Sequence, residues 1–243
     1  NINKALSRQV LEKTYAVSII ASAVDVSGDF VSDRAKLYAE NAMQKNLGSY
    51  HLPCNVLPIT QVDKLTYQPI VKKSSGKEYT SESLLKKRKY DEISKNNNAD
   101  KKEILQNEFD AMTNKGTESL LAIIYIDGNN MGSKVKKATE NVNGYTSGVN
   151  ALREFSEKTD LDFVKRPIQA IEKKLTELYN NAEKNKNFYS YRKIISGGDE
   201  ITIVCNAHAV PEILDTYFET LTSDSDNSAC AGVAVFHSHA PFA

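Results

Sequence analysis

Cysteine is scarce in this sequence of 243 residues, and its three copies are scattered at Cys54, Cys205 and Cys230. No two of them form a CxxC pair, so the sequence indicates neither a disulfide framework nor a structural zinc site. No apolar run reaches the length needed to span a membrane, and the first residues do not resemble a signal peptide. We therefore expect a protein of the reducing cytoplasm that has no membrane partner.

Net charge is also absent, because 31 Lys and Arg residues balance 31 Asp and Glu residues. Proteins that hold nucleic acid by bulk electrostatics usually carry a clearly basic surface, so this balance argues against that class. It leaves the binding of a small nucleotide open. The chain begins at Asn1 rather than Met and ends at Ala243, directly after a strand-like segment. These ends favour a piece of a longer protein.

Composition divides the chain into a first region, residues 1–105, and a second region, residues 106–243. The first is predicted to begin with a strand at Tyr15–Val26 and a helix at Ser32–Lys45. A loop stretch with short strands follows at Leu47–Gly76, then a charged helix at Ser81–Ser94 and a linker at Lys95–Lys101. We expect this first region to be an additional N-terminal α/β element of the protein.

The second region alternates apolar strand-like runs with helical patterns. The four predicted strands are Leu120–Ile126, Phe188–Ile195, Ile201–Cys205 and Ser228–His237. The predicted helices are Met131–Asn141, a long helix over Val149–Lys184 that breaks near Pro167, and Val210–Leu221. The order βαββαβ is that of the ferredoxin-like arrangement, so the fold class is predicted to be α+β.

This order determines which distant residues meet. In a ferredoxin-like sheet the first strand lies beside the third, and the hairpin between the second and third strands is at the edge where the first strand ends. Asp127 follows the first strand, and Gly198 and Asp199 lie in the hairpin turn. We therefore expect two acidic positions, far apart in sequence, to converge on one edge of the sheet.

The segment after the first strand is Asp127-Gly128-Asn129-Asn130-Met131-Gly132. A carboxylate at the end of a strand, followed at once by Gly, leaves backbone groups accessible to a ligand. The helix that starts near Asn130 directs its N-terminus at the same place, which favours a phosphate. Taken alone, Asp-Gly is also a common turn signal.

The hairpin segment is Gly197-Gly198-Asp199-Glu200. Two glycines allow close approach of a phosphate to the backbone, and two adjacent carboxylates offer the oxygen ligands that Mg²⁺ prefers. A Gly-Gly hairpin followed by surface acids is the structural alternative. The convergence of this segment with Asp127 favours a metal-nucleotide site.

The two motifs, in this order, resemble the palm domain of the CRISPR type III large subunit (the Cas-ten/Cmr-two family), which is related to the GGDEF diguanylate cyclases. The resemblance covers Leu120–Ala243, where the last strand and Pro241 also match, and more weakly Tyr15–Glu92, including Leu57-Pro58-Ile59-Thr60 and Lys86–Tyr90. The fold it implies is a GGDEF-like palm.

Several positions depart from the family pattern. The fourth hairpin position is Glu200, where CRISPR relatives usually carry Asp, and Ile201 stands where diguanylate cyclases carry Phe. The zinc-binding cysteines of many relatives are absent, and His239 replaces a basic residue before the proline. These departures favour a CRISPR-like relative outside the standard effector complex.

The resemblance implies a nucleotidyltransferase or cyclase that binds nucleoside triphosphates, ATP above all, with Mg²⁺ or Mn²⁺, and acts in CRISPR-like or antiviral defence signalling. It implies that Asp127, Asp199 and Glu200 are the catalytic and metal-binding acids, with the Gly128 carbonyl as a further ligand. The remaining nucleotide-binding positions would be Asn129, Asn130, Gly197 and Gly198, together with Gly128.

The resemblance also implies partners. Joining two nucleotides calls for a second palm, supplied by a homodimer or by a part of the protein outside this chain, of which the strand and helix over Tyr15–Lys45 would be the tail. CRISPR-like protein or RNA partners are also expected. Two alternatives stay open from the sequence: a catalytically inactive palm that serves as a nucleotide sensor or scaffold, and a diguanylate cyclase.

Three other features favour ordinary structural roles. His237 and His239 are expected at the rim of a strand rather than on a metal, because no third ligand has fitting spacing. Cys205 and Cys230 are expected to pack as small core residues. The basic run Lys86–Lys89 is typical of a solvated helix face.

Overall fold

The computed structural model describes residues 2–14, 17, 19–47, 59–64, 66–73, 79–97, 104–106, 108–114, 119–221 and 227–240. The chain forms two compact units, residues 1–100 and 101–243, where composition suggested a division after residue 105. None of the helices in these described ranges is long and apolar enough to cross a membrane. Leu57, Pro58, most of the predicted linker and Pro241 lie outside the described residues.

The first unit consists mainly of helices. Its elements are α1 (Ile2–Thr14), α2 (Phe30–Asn46), β1 (Ile70–Lys73), β2 (Tyr79–Ser81) and α3 (Glu82–Asn97). Helix α2 begins after Asp29, whose carboxylate accepts the backbone N–H groups of Val31 and Ser32 at 3.0 and 3.3 Å. Such a cap satisfies donors that have no partner inside the helix. The two predicted helices of this region are confirmed, while α1 was not predicted.

The predicted strand Tyr15–Val26 is wrong over its described residues 19–26, which form no sheet pairing. The Ile19 carbonyl accepts the Ser7 hydroxyl at 2.5 Å, and the Ser22 hydroxyl accepts the Asn41 amide at 3.3 Å. The polar groups of the segment thus find partners on side chains of the first unit. A β-forming composition does not make a strand where no neighbouring strand pairs with it.

The second unit has the predicted βαββαβ order, so the α+β class and the ferredoxin-like arrangement are confirmed. Its strands are β3 (Leu120–Gly128), β4 (Tyr191–Gly197), β5 (Glu200–Asn206) and β6 (Ala229–His237). Its helices are α4 (Met131–Ala138), α5 (Gly144–Thr159), a π-helical segment (Asp160–Lys165), α6 (Arg166–Asn181) and α7 (Val210–Leu221), with 3₁₀ turns at Phe109–Met112, Lys186–Tyr189 and Ala207–Ala209.

The four strands form one antiparallel sheet in the order β4-β5-β3-β6. The first strand of the motif therefore lies beside the third, as predicted. The register pairs Asp127 with Glu200 on one side and with Cys230 on the other. Because side chains directly opposite each other point to the same face of a sheet, this register assigns the paired residues of the four strands to one of two faces. Ile194, at the irregularity of β4 between Lys193 and Ile195, has no register partner.

One face of the sheet is covered by helices and forms the core. Ile124 and Ile126 of β3 are fully buried. They belong to a cluster in which α6 and α7 present apolar side chains at helical spacing, namely Ile168, Ile171, Leu175, Ile213, Tyr217 and Leu221. A polar network closes this face near β4, where the Tyr191 hydroxyl donates to the Glu172 carboxylate at 2.7 Å. Burial of each large apolar side chain contributes about 1.5–3 kcal/mol.

Among the described residues of the second unit, the opposite face is covered only at the end remote from Asp127. There, the Asn206 amide donates to the Met112 carbonyl at 2.8 Å, and the Arg192 guanidinium lies 5.6 Å from the centre of the Phe109 ring. The 3₁₀ turn Phe109–Met112 therefore packs on that end of the face. Nearer the hairpin turn, Tyr125 is 44% exposed and Asp127 is exposed. We call this uncovered part of the sheet the open face.

Candidate active site

The end of β3 joins the two acidic motifs. The Gly128 N–H donates to the Asp199 carbonyl at 3.1 Å, and Asp127 is the register partner of Glu200. Asp127 is exposed, and Asp199 and Glu200 are half-buried. The structure thus brings the acids of both motifs to one edge of the sheet, where the strand order predicted them.

Gly128 has no room for a side chain. A Cβ atom at this position would lie 2.6 Å from the Met131 Cε atom, 2.8 Å from the Asp199 Cβ atom and 3.1 Å from an Asp199 carboxylate oxygen. Gly128 alternates with Asp127 along β3, so its missing Cβ points to the helix-covered side. Asp199 therefore approaches the strand end from that side, while Asp127 and Glu200 point to the open face.

The hairpin turn depends on a second glycine. Gly197 pairs with Glu200, so the turn consists of Gly198 and Asp199. Gly198 has φ +66°, in the left-handed region that favours glycine. This turn places the Asp199 carbonyl within reach of Gly128 and fixes the hairpin against β3.

The three carboxylates have no counter-charge in the described part of the chain. Among the described residues, none of Asp127, Asp199 and Glu200 forms a salt bridge or a side-chain hydrogen bond. Negative charge concentrated in this way normally repels itself unless a cation is present. The site therefore has the electrostatic character of a cation-binding position.

Desolvation and the negative charge of these acids raise the pKa of two tyrosines, one on each side of the sheet. Partial desolvation and the negative charges of Asp127, Glu200 and Asp199 raise the pKa of Tyr125 on the open face. On the helix side, burial and the charges of Asp199 and Asp127 raise the pKa of Tyr217. The Tyr217 hydroxyl is buried and has no hydrogen-bond partner among the described residues. Both phenols therefore stay protonated around the acids.

A hard divalent cation at this edge would need ligands beyond the carboxylates of the chain. Within the described ranges, no group of three or more His, Cys, Asp or Glu side chains is arranged to hold a metal ion. Mg²⁺ is typically held by one or two carboxylates, with water and substrate phosphates completing its octahedral shell. Asp127, Asp199 and the Gly128 carbonyl suit such a shared site, with Glu200 beside them. The assignment of these ligands stays a prediction.

The two asparagines after Gly128 occupy different positions. The Asn129 N–H donates to the Ser228 carbonyl at 2.8 Å, and its side-chain carbonyl accepts the Cys230 thiol at 3.1 Å. Asn130 has φ +62° and precedes α4, where its side chain makes no capping hydrogen bond. The first N–H groups of a helix have no partner within it, so α4 starts beside the acids with donors available for an anion. The predicted ribose or base contacts stay predictions.

A cavity of about 520 Å³ lies next to α4. It is lined by residues of α4, α5, the π-helical segment and the segment just before β6: Met131, Lys134, Lys137, Ala138, Phe155, Lys158, Thr159, Asp162, Phe163 and Asn227. Met131 borders both this cavity and Gly128. The volume is within the range of small-molecule sites, and the cavity adjoins the acidic edge.

Asp162 is the cavity residue that sequence reasoning missed. Its side chain is 6% exposed; one carboxylate oxygen accepts Arg166 at 2.8 Å, and the other accepts the Asn227 amide at 3.5 Å. It lies in the π-helical turn just before Pro167, where a helix break was predicted. Single π turns often occur at functional sites, so an acid close to a predicted helix break was the available signal.

Of the three features expected to have structural roles, only the cysteines have different outcomes. Cys205 is buried in the core as predicted, but Cys230 is exposed, because it lies on the edge strand β6 and points to the open face. His237 and His239 lie at the rim, with ring centres 5.5 Å apart. Lys86 pairs with Glu82 one helical turn away at 3.7 Å, as expected for a helix surface.

No known protein family and no curated protein matches the chain. Among solved structures, it is similar to the apo Csm1-Csm4 cassette (15% identity) and to the Csm1-Csm4 cassette in complex with cA3 (16% identity), each with a TM-score of 0.37. In both cases the similarity covers 50% of this chain and 17% of the other chain. TM-scores below 0.5 do not establish the function of this chain.

Proposed function

We propose that this chain is a metal-dependent palm that binds nucleoside triphosphates, with ATP as the favoured substrate, and joins or cyclises them with release of pyrophosphate. The observation that carries the proposal is the meeting of two acidic, glycine-containing motifs at the end of β3, joined by the Gly128–Asp199 hydrogen bond. The carboxylates there have no ion-pair partner among the described residues, which supports a site that a cation completes.

Each residue has a chemical task in this proposal. Asp127 and Asp199, with the Gly128 carbonyl, hold Mg²⁺ or Mn²⁺, and Gly197 and Gly198 lie against the phosphates. Asn129 and Asn130 contact the ribose or base of the nucleotide. The bound cation would supply positive charge that favours ionisation of the attacking hydroxyl and stabilises the leaving pyrophosphate.

The reaction is a phosphoryl transfer. A ribose hydroxyl oxygen forms a bond to the α-phosphorus, the bond between the α-phosphorus and the bridging oxygen breaks, and that oxygen leaves with pyrophosphate. The hydroxyl proton passes to a base, for which Glu200 is suitably placed because it shares the open face with Asp127.

The cavity beside α4 is the proposed position of the base of the triphosphate. Its apolar wall, including Phe155 and Phe163, suits a flat ring, and Asp162 and Asn227 offer polar edges for hydrogen bonding. Lys134 and Lys137 lie on the same helix and add positive charge near the phosphates. Met131 connects this cavity to Gly128, so one nucleotide can reach from the cavity to the acids.

Binding is tested by thermal unfolding with ATP and GTP, each with and without Mg²⁺ or Mn²⁺. A ligand present at a hundred times its Kd stabilises the folded state by about 2.7 kcal/mol, so we expect the melting temperature to rise by about 5 °C or more with metal. Asp127→Asn combined with Asp199→Asn should abolish the metal-dependent rise. Asp215→Asn, an exposed acid on α7, is the matched control and should retain it.

An unchanged rise in the double variant would contradict the proposed site. Turnover is tested with each labelled triphosphate and Mn²⁺, with products resolved by mass. Binding without any product would favour the sensor or scaffold alternative, and a cyclic dinucleotide made from GTP alone would favour the diguanylate cyclase.

The proposal includes a second palm, because each palm activates one α-phosphate and two nucleotides are to be joined. That palm would come from a homodimer or from the rest of a longer protein, and the proposed setting is a CRISPR-like protein or RNA assembly that serves antiviral defence. Specific activity that rises with protein concentration supports a homodimer. Constant specific activity of a strictly monomeric sample contradicts it.

A further inference from the structure

The open face has two parallel rows of side chains beside the hairpin turn. The carboxylate row consists of Cys230, Asp127, Glu200 and Gly197, one from each strand. Two residues further along each strand, the platform row consists of Gly232, Tyr125, Thr202 and Ile195. The two rows are about 7 Å apart, since each residue of a strand advances the chain by about 3.4 Å.

Tyr125 dominates the platform row. Its side chain is 44% exposed, and its neighbour on β6 is Gly232, which has no side chain that could cover the ring. The neighbour on β5 is Thr202, a smaller and half-buried residue. The phenol makes no hydrogen bond within the described part of the chain. One side of the ring is therefore accessible along the sheet surface.

The chemistry of the two rows is sharply different. All four platform residues are uncharged, whereas the adjoining row carries two carboxylates and a thiol. A flat, uncharged ring held on Tyr125 would have its attached groups directly beside Asp127 and Glu200. A nucleoside has this form, because its base is flat and its ribose hydroxyls lie one short span away. Stacking on an aromatic side chain accommodates any base, since every base has a π face.

We propose that the nucleoside supplying the attacking hydroxyl stacks its base on Tyr125, which sets its ribose against the carboxylate row. This inference rests on the proposed function and adds the binding position of the second reactant. The triphosphate approaches the strand end from the helix side, where Asp199 and the α4 cavity lie, and the nucleoside approaches from the open face, where Asp127 and Glu200 point. The stacking is the same whether this chain or a second palm holds the remaining groups of that nucleotide.

The sequence offers a direct reporter, because the chain contains no tryptophan. Tyr125→Trp introduces a single indole on the platform row. We expect AMP and GMP, added without metal, to quench its fluorescence with saturation, and ribose 5-phosphate, which has no base, to leave it unchanged. Tyr38→Trp, at a 60% exposed position on α2, is the matched control and should show no saturable quenching. Equal quenching at both positions, or none at position 125, would overturn the inference.

A second pair of variants tests the role of the ring without a reporter. Tyr125→Phe retains the ring and should bind AMP, measured by calorimetry, as the parent chain does. Tyr125→Leu removes the ring and should weaken AMP binding about tenfold. Equal affinities of the Phe and Leu variants would contradict stacking.

The two proposals can fail separately. Quenching that is absent in Tyr125→Trp while metal-dependent stabilisation by ATP persists overturns the platform and leaves the proposed function standing. Quenching that persists in Tyr125→Trp combined with Asp127→Asn, which should lose metal-dependent stabilisation, supports a nucleoside position that does not require the metal ligands.

Discussion

The two faces of the four-stranded sheet differ in burial, although residues on opposite faces are adjacent in the sequence. Ile124 and Ile126 point to the helix-covered face and are fully buried, while Tyr125 and Asp127, one residue away from them, point to the open face and are exposed. The covered face is largely apolar; its buried polar groups include the hydrogen-bonded Tyr191–Glu172 pair and the Tyr217 hydroxyl, which has no hydrogen-bond partner among the described residues. The open face carries two acids, Asp127 and Glu200, that have no ion-pair partner among the described residues.

This difference shows how one strand serves two purposes. Apolar residues on the covered face determine where the strand lies, and that position determines where Asp127 is held. The open face can then carry residues that repel one another, because packing on the covered face offsets the free-energy cost of that repulsion. Substitutions that separate the two contributions test this division.

The largest effect is expected from Ile126→Ala. Removal of a fully buried side chain leaves a cavity among α6, α7 and β5, and such changes cost about 2–5 kcal/mol. Tyr125→Ala, on the neighbouring residue, should cost less than about 1 kcal/mol because the ring is 44% exposed. Urea unfolding followed by circular dichroism measures both. Similar losses from the two variants would show that the open face is covered in solution.

A smaller effect is expected from Gly128→Ala, at the point where the two faces meet. The added Cβ would lie 2.8 Å from the Asp199 Cβ atom, so the hairpin turn has to move away from β3. Such overpacking costs about 1–3 kcal/mol. Metal-dependent stabilisation by ATP should fall as well, because Asp199 is displaced. Gly132→Ala, where the added atom meets nothing within 4 Å, is the control. An unaltered ATP response in Gly128→Ala would contradict a shared site.

The smallest effect on stability is expected from chemical modification of the cysteines, whose reaction rates should differ between the two faces. Cys205 points to the covered face, and burial raises the pKa of its thiol to about 12. Cys230 is exposed on the open face. Because the thiolate is the reactive species, iodoacetamide at pH 8 should modify Cys230 at least about a hundredfold faster than Cys205. Peptide mapping by mass spectrometry measures both rates, and comparable rates would contradict the assignment of faces.

The second unit could be predicted from its sequence because its signals are local and agree with one another. The apolar run of β3 and the pattern of α7, which begins at Val210 and ends at Leu221 as predicted, identify elements whose order fixes the topology. The meeting of Asp127 and Asp199 follows from that order alone. Their roles as metal ligands stay predictions.

Other features were beyond the sequence because they depend on neighbours. The segment 19–26 has β-forming residues, but no strand in the described ranges pairs with it. On β6, Val233 and Val235 point to the covered face yet remain 42% and 57% exposed, because an edge strand can extend past the helices. Cys230, which we expected to pack as a small core residue, lies on the same strand and is also exposed. The π turn that carries Asp162 adds one residue to a helical turn, which periodicity does not resolve.

The register of β3 against β5 limits how this site can evolve. Side chains alternate with a period of two, so insertion or deletion of one residue in the hairpin would exchange the faces of β5. Glu200 would turn towards the helices and Ile201 towards water, and the core would be lost together with the acids. Insertions and deletions at this turn would therefore be eliminated by selection, and changes in substrate specificity have to arise by substitution of side chains. Lineages of such a domain would diverge in side chains while the spacing from Gly197 to Glu200 stays constant.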